Sequence, residues 1–132
     1  MVRQHRAVNL ESGIAMVVTD LHGDWAVYER LRDKFLTLYQ AGEAERFIIC
    51  GDLVHGYGPE ESDASLEMLL DVLELQTQMG TDTIIMLLGN HELPHIYSTP
   101  LSKGLLEFTA RFEHALARLN ADPSAAYRRT DV

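Results

Sequence analysis

The sequence predicts an α/β fold in which parallel strands alternate with helices. Three short apolar runs, Ile14–Val18, Phe47–Cys50 and Thr83–Leu88, have the length and β-branched content of buried strands. A helical pattern follows each run, and alternation of strands and helices is typical of a parallel sheet with right-handed crossovers. Because none of the runs alternates apolar with polar residues, we expect the strands to be covered on both faces.

Helices are predicted wherever apolar residues recur at spacings of three and four. The first is expected at about Trp25–Gln40, the second at about Ala64–Met79 and the third at about Lys103–Asn120. Asp63 is a suitable N-cap for the second helix, and Gly80 a suitable stop. We expect residues 1–13 to be an N-terminal tail or edge segment, followed by one domain over residues 14–132.

Composition limits the possible partners. The 132 residues are 46% hydrophobic and carry a formal net charge of −9, so a globular domain is expected and contacts with nucleic acid or anionic membrane are disfavoured. A phosphorylated substrate remains compatible with this charge, because bound divalent cations reverse the local field. With one cysteine and no apolar segment of signal-peptide length, we expect a soluble, cytoplasmic protein. Cys50 itself is expected to be a small buried hydrophobe.

Polar groups follow each predicted strand. They are Asp20, His22 and Asp24 after the first, Asp52 and His55 after the second, and Asn90, His91 and Glu92 after the third. Neighbouring strands lie about 4.8 Å apart, so the groups at their carboxyl ends are expected to share a small volume. A mixture of carboxylate, imidazole and amide oxygen suits Mn²⁺, Fe or Zn²⁺ better than Ca²⁺.

These loops resemble a known family. The segments "DLHGD", "GDLVHG" and "GNHE" are similar to the first three sequence blocks of the calcineurin-like metallophosphoesterases, and the resemblance covers about Ile14 to Glu92. It implies an α/β/β/α sandwich, of which this chain is expected to be the N-terminal half. It also implies hydrolysis of a phosphoester, in a phosphoprotein or a small molecule, by a hydroxide that bridges two divalent ions, Mn²⁺ being favoured over Fe or Zn²⁺.

Carried over residue by residue, the resemblance assigns roles to the loop residues. Asp20 and His22 bind the first metal, Asp52 bridges the two metals, Asn90 binds the second metal and the substrate phosphate, and His91 contacts substrate as the general acid. Asp24 is expected either to cap the first helix or to orient a ligand, and Glu92 either to support His91 through a hydrogen bond or to open the next turn. His55, His95 and His114 are expected to be structural or exposed.

The chain departs from the family pattern in two places. Val54 is followed by His55 and Gly56, where the Ser/Thr phosphatases continue with Asp and a phosphate-binding Arg. The later histidine blocks that complete the metal shells have no counterpart, so we expect a domain that is incomplete at its C-terminus and inactive alone. Apolar sheet left without cover is then expected to drive self-association.

Two other kinds of function are considered. A non-catalytic remnant that binds one metal, or acts as an interaction module, needs only the ligands present. A receiver-like signalling domain also has carboxylates at strand ends, but that hypothesis leaves "GNHE" without a role.

Overall fold

A computed structural model describes residues 9–97, 102–103 and 106–121. Along the chain the elements are β1 (Ala15–Val18), α1 (Trp25–Gln40), β2 (Arg46–Ile49), a 3₁₀ turn (Glu60–Ser62), α2 (Ser65–Met79), β3 (Ile84–Met86), α3 (Leu93–Tyr97), β4 (Ser102–Lys103), β5 (Leu106–Glu107) and α4 (Phe108–Ala121).

The first three strands form one parallel sheet in the order β1-β2-β3. Val17 is paired with Ile48, and Ile48 with Ile85, so the three strands are in register across the sheet. The predicted α/β class, with parallel strands alternating with helices, is confirmed. The register brings the ends of all three strands to the same edge, where the polar loops begin.

The core lies on one face of this sheet. Phe47, Ile49 and Ile84 point to that face and are fully buried against residues of α1 and α2, among them Tyr28, Phe35, Met68 and Val72. Phe35 stacks on Phe47, with ring centroids 5.1 Å apart. Burial of these large side chains holds the strands, and with them the loops at their ends, in fixed positions.

The expectation of cover on both faces is wrong for the described residues. Val17 lies on the opposite face from the core and is 58% exposed, and Leu87 beyond the end of β3 is 50% exposed. Both crossovers pass on the same side because β1, β2 and β3 are adjacent in chain order, so the described residues leave the other side without cover. Cys50 is also exposed rather than buried, because the alternation along β2 places it on the same face as Ile48, away from the core.

Helix boundaries are partly as predicted. The limits of α1 agree with the sequence, whereas α2 begins at Ser65, with Ala64 in place of Asp63 at the N-cap. Asp63 instead accepts hydrogen bonds from the backbone N–H of Gly56 and of Ser65. The third predicted helix starts only at Phe108, because the short antiparallel pair β4–β5 takes up part of the segment before it.

The short helix α3 was not predicted. Within the described residues, no helix has the length and apolarity that a membrane span requires.

Candidate metal centre

The loops after β1 and β2 run side by side beyond the end of the sheet. The backbone N–H of His22 donates to the carbonyl of Asp52 at 3.0 Å, and that of Gly23 to the carbonyl of Leu53 at 2.8 Å. These bonds continue the pairing of the strands into the loops. The polar residues of the two loops are therefore held beside each other by the backbone.

Four loop residues adopt left-handed backbone conformations. They are Asp20, His22, Asp52 and His55, with φ values of 56°, 43°, 53° and 71°. For a residue with a side chain this conformation costs on the order of 1–2 kcal/mol. Within the described part of the chain, every positive φ outside glycine falls in these two loops. Strain of this kind gathers at functional sites, where it aims side chains that a relaxed backbone would direct elsewhere.

Side chains from all three loops meet at one point. One potential ligand atom from each of His22, Asp52 and His91 lies within 4.8 Å of the other two. His91 is buried, and the His22 side chain is 17% exposed. Two imidazoles and a carboxylate at this separation make a set that a divalent metal ion can join.

His22 presents a defined nitrogen to this centre. Its Nδ1 lies 3.3 Å from the carbonyl oxygen of Val54, which can only accept, so Nδ1 carries the proton and Nε2 the lone pair. That Nε2 lies 3.4 Å from Oδ1 of Asp20. A lone pair and a carboxylate repel each other unless a cation lies between them, which is the arrangement of two metal ligands.

The ionised form of Asp20 is stabilised by a hydrogen bond. The Thr19 hydroxyl donates to its Oδ2 at 2.7 Å, and this bond holds the pKa of the exposed Asp20 carboxyl below its usual range. Asp20 therefore stays ionised over the whole neutral range.

Asn90 lies against Asp52. With its amide nitrogen turned towards the carboxylate, Asn90 donates to the two oxygens at 2.9 and 3.1 Å. The backbone N–H of His91 also donates to Oδ1 of Asp52, at 3.1 Å. A half-turn of the Asn90 amide presents its oxygen in place of its nitrogen, so the pair Asp52 and Asn90 can also receive a cation.

Glu92 supports the site through the backbone. Its carboxylate accepts the N–H groups of Asp52 at 2.7 Å, Gly89 at 2.8 Å and Val54 at 3.2 Å. Of the two alternatives for Glu92, the hydrogen bond to the His91 side chain is not formed, because both oxygens face these backbone donors. Glu92 lies instead in the turn that opens α3. Glu92 thus joins the loop of Asp52 to the loop of His91.

Asp24 acts as a helix cap. Its Oδ1 accepts the N–H of Val27 at 3.2 Å, and its carbonyl accepts the N–H of Tyr28 at 3.0 Å. Of the two alternatives for Asp24, the cap is observed.

Three residues near His91 were not predicted to be part of the site. His55 is 1% exposed and hydrogen-bonds to His91, His95 hydrogen-bonds to His55, and Glu113 hydrogen-bonds to His95. His91 and His95 lie four residues apart around the start of α3, and both rings reach His55 rather than each other. His114, by contrast, is exposed on α4 as expected.

Burial favours the neutral forms of His55 and His91. It lowers the pKa of His55 to about 3, with the neighbouring His95 and His91 adding to the effect, and it also lowers the pKa of His91. The neutral form of His91 is the one that binds a metal.

The donors fit the metals that the sequence suggested. Two imidazoles with a carboxylate, and a second carboxylate and an amide beside them, suit Mn²⁺, Fe or Zn²⁺. A Ca²⁺ site needs an all-oxygen shell, which the two imidazoles do not offer.

Comparison with known proteins agrees with the geometry. The family model for calcineurin-like phosphoesterases matches residues 15–131. The match spans most of the chain, and the protein belongs to this family of metal-dependent phosphoesterases. No curated protein and no solved structure gives a significant match.

Proposed function

We propose that the protein is a phosphoesterase whose active site is the edge of the sheet where β1, β2 and β3 end. The observation that carries this proposal is the meeting of His22, Asp52 and His91, one residue from each loop, within 4.8 Å. Membership of the family supports hydrolysis of a phosphoester, and the cluster of three side chains supports the location of the active site.

Two divalent ions, with Mn²⁺ favoured, are the proposed cofactors. Asp20 and His22 are proposed to hold one ion, Asn90 to hold the other, and Asp52 to bridge them. When bound, such ions activate water and neutralise the phosphoryl oxygens. Asp52 is suited to bridging because it lies between the loops, close to both His22 and Asn90.

His91 and Asn90 are the proposed contacts to substrate. Asn90 is exposed at the mouth of the site, where its amide can donate to a phosphoryl oxygen. His91 is proposed to protonate the leaving oxygen. Because burial lowers the pKa of His91, its ring must first take up a proton before it can act as this acid.

Hydrolysis of p-nitrophenyl phosphate tests the proposal. With Mn²⁺ present, the wild type is expected to release nitrophenol and Asp52→Asn to lose at least a hundredfold in rate. Asp82→Asn, which removes an exposed carboxylate in the turn before β3, is the matched control and retains activity. Full activity of Asp52→Asn would remove this residue from the site.

A second candidate is a module that binds a single metal without catalysis. It is favoured by the size of the cluster, since three ligand atoms within 4.8 Å suffice for one ion. The number of Mn²⁺ ions bound, measured by calorimetry, separates the two: two ions with hydrolysis support the phosphoesterase, and one ion without hydrolysis supports the module.

The open face of the sheet is proposed to pair with a second copy of the chain in the cytoplasm. Val17 and Leu87 expose apolar surface there, which a soluble protein tends to cover. Light scattering is expected to give the mass of a dimer for the wild type and of a monomer for Val17→Asp. A monomeric wild type at high concentration would contradict this pairing.

A further inference from the structure

A row of hydrogen-bonded side chains connects His91 to the surface of α4. Nδ1 of His91 lies 3.0 Å from Nδ1 of His55, and Nε2 of His55 lies 2.6 Å from Nε2 of His95. Nδ1 of His95 lies 2.7 Å from Oε1 of Glu113. We call His91, His55, His95 and Glu113 the histidine network. The proposed reaction uses His91 alone of these four.

The position of each proton follows from the outer end of the network. The Glu113 carboxylate can only accept, so Nδ1 of His95 carries a proton. The other nitrogen of a neutral His95 is then an acceptor, and Nε2 of His55 must donate to it. Nδ1 of His55 is in turn an acceptor, and Nδ1 of His91 must donate to it.

We propose that Glu113, His95 and His55 are positioning residues that hold His91 as its Nδ1–H tautomer. The Nε2 atom of His91 then carries a lone pair and is the nitrogen free to serve the metal centre. The role that His91 plays at the metal centre rests on the proposed function. The tautomer of His91 does not depend on that function.

His22 also has its proton on Nδ1, held there by a single backbone hydrogen bond. Its Nδ1 donates to the backbone carbonyl of Val54, which leaves its Nε2 as the free nitrogen. The His22 and His91 rings lie edge to face with centroids 4.7 Å apart. Both imidazoles thus offer the same nitrogen, one fixed by the backbone and the other by side chains, as metal-bound histidines commonly are.

Apolar surroundings restrict the histidine network to one set of tautomers. The His55 ring is 1% exposed and stacks on Phe108, with centroids 5.3 Å apart and planes 5° from parallel. Phe112 packs against His95 at a centroid distance of 4.6 Å. In such apolar surroundings hydrogen bonds strengthen and an unpaired ring nitrogen is costly, so the three rings must adopt complementary tautomers.

Nitrogen NMR of the metal-free protein labelled with ¹⁵N-histidine at pH 7.5 tests the proposal. In the wild type, the His91 ring is expected to show a proton on Nδ1 and a lone pair on Nε2, its signals being assigned by their loss in His91→Asn. Glu113→Leu removes the acceptor at the exposed end of the network and is expected to mix the two tautomers of His91. His114→Leu, on the next residue of α4, is the control and leaves them unchanged.

A second measurement uses Zn²⁺ affinity. Loss of a partner that orients a metal-binding histidine typically costs about 10- to 100-fold in affinity. For a single Zn²⁺ ion held by His22, Asp52 and His91, we expect Glu113→Leu to fall in this range while His114→Leu does not. A proton on Nε2 of wild-type His91, or tautomers and affinity unchanged in Glu113→Leu, would overturn the proposal. Because the NMR needs no metal, a protein that binds no ion but shows Nδ1–H on His91 would refute only the proposed function.

Discussion

Glu92 accepts the backbone N–H of Asp52 at 2.7 Å, across 40 residues of sequence. The same carboxylate also holds Gly89 and Val54, so one buried side chain fixes the backbone of two loops. Glu92→Gln replaces an oxygen by an amide nitrogen, which cannot accept from a backbone N–H. We expect the free energy of unfolding to fall by about 2 kcal/mol, the usual value for a hydrogen bond to a charged group.

Chemical denaturation measures this change. Glu43→Gln, at an exposed position beyond α1, is the control and is expected to be neutral. Equal stability of Glu92→Gln and the wild type would mean that the carboxylate does not hold the loops.

Gly89 is required by the close approach of two loops. A methyl group there would lie 2.7 Å from the backbone nitrogen of Asp52 and closer still to its carboxylate. Gly89→Ala must push Asp52 away, so we expect Mn²⁺ affinity to fall at least tenfold and stability to drop by about 1–3 kcal/mol. In Gly58→Ala the nearest atom is the Ser62 hydroxyl at 3.3 Å, and this control should bind normally. Normal Mn²⁺ binding by Gly89→Ala would contradict the described packing.

Stability is expected to decrease as the pH falls below 6.5. The pKa of His55 is lowered to about 3 in the folded protein, so below 6.5 the unfolded chain binds a proton that the folded one does not. The free energy of unfolding is therefore unaffected by His55 above pH 6.5. Below pH 6.5 it decreases by up to about 1.4 kcal/mol for each pH unit. His91, with its lowered pKa, acts in the same direction.

Urea denaturation between pH 6.5 and 4.5 measures this loss before most carboxylates titrate. His114→Gln changes an exposed ring and should keep the same slope. A free energy of unfolding that stays constant over this pH range would show that His55 takes up a proton without destabilising the folded protein.

The strands, α1 and the three loops could be predicted from the sequence alone. These depend on local patterns: short apolar runs, a stripe of spaced apolar residues, and polar groups directly after each strand. The meeting of His22, Asp52 and His91 could be expected because carboxyl ends of parallel strands share an edge. The roles of Asp20 and Asn90 as ligands remain predictions.

What could not be predicted depends on packing between distant segments. The place of His55 in the site is set by α3 and α4, which bring His95 and Glu113 to it, and nothing near His55 in the sequence signals them. Likewise, an apolar strand does not disclose which of its faces the helices will cover. Val17 and Cys50 are exposed for this kind of reason.

The central claim is that the three loops form one metal centre, and calorimetry with Mn²⁺ tests it most directly. The wild type is expected to bind, and Asp52→Asn to lose at least tenfold in affinity while its circular dichroism spectrum stays that of the folded protein. Binding of equal strength in Asp52→Asn, or no binding by the wild type, would contradict the claim.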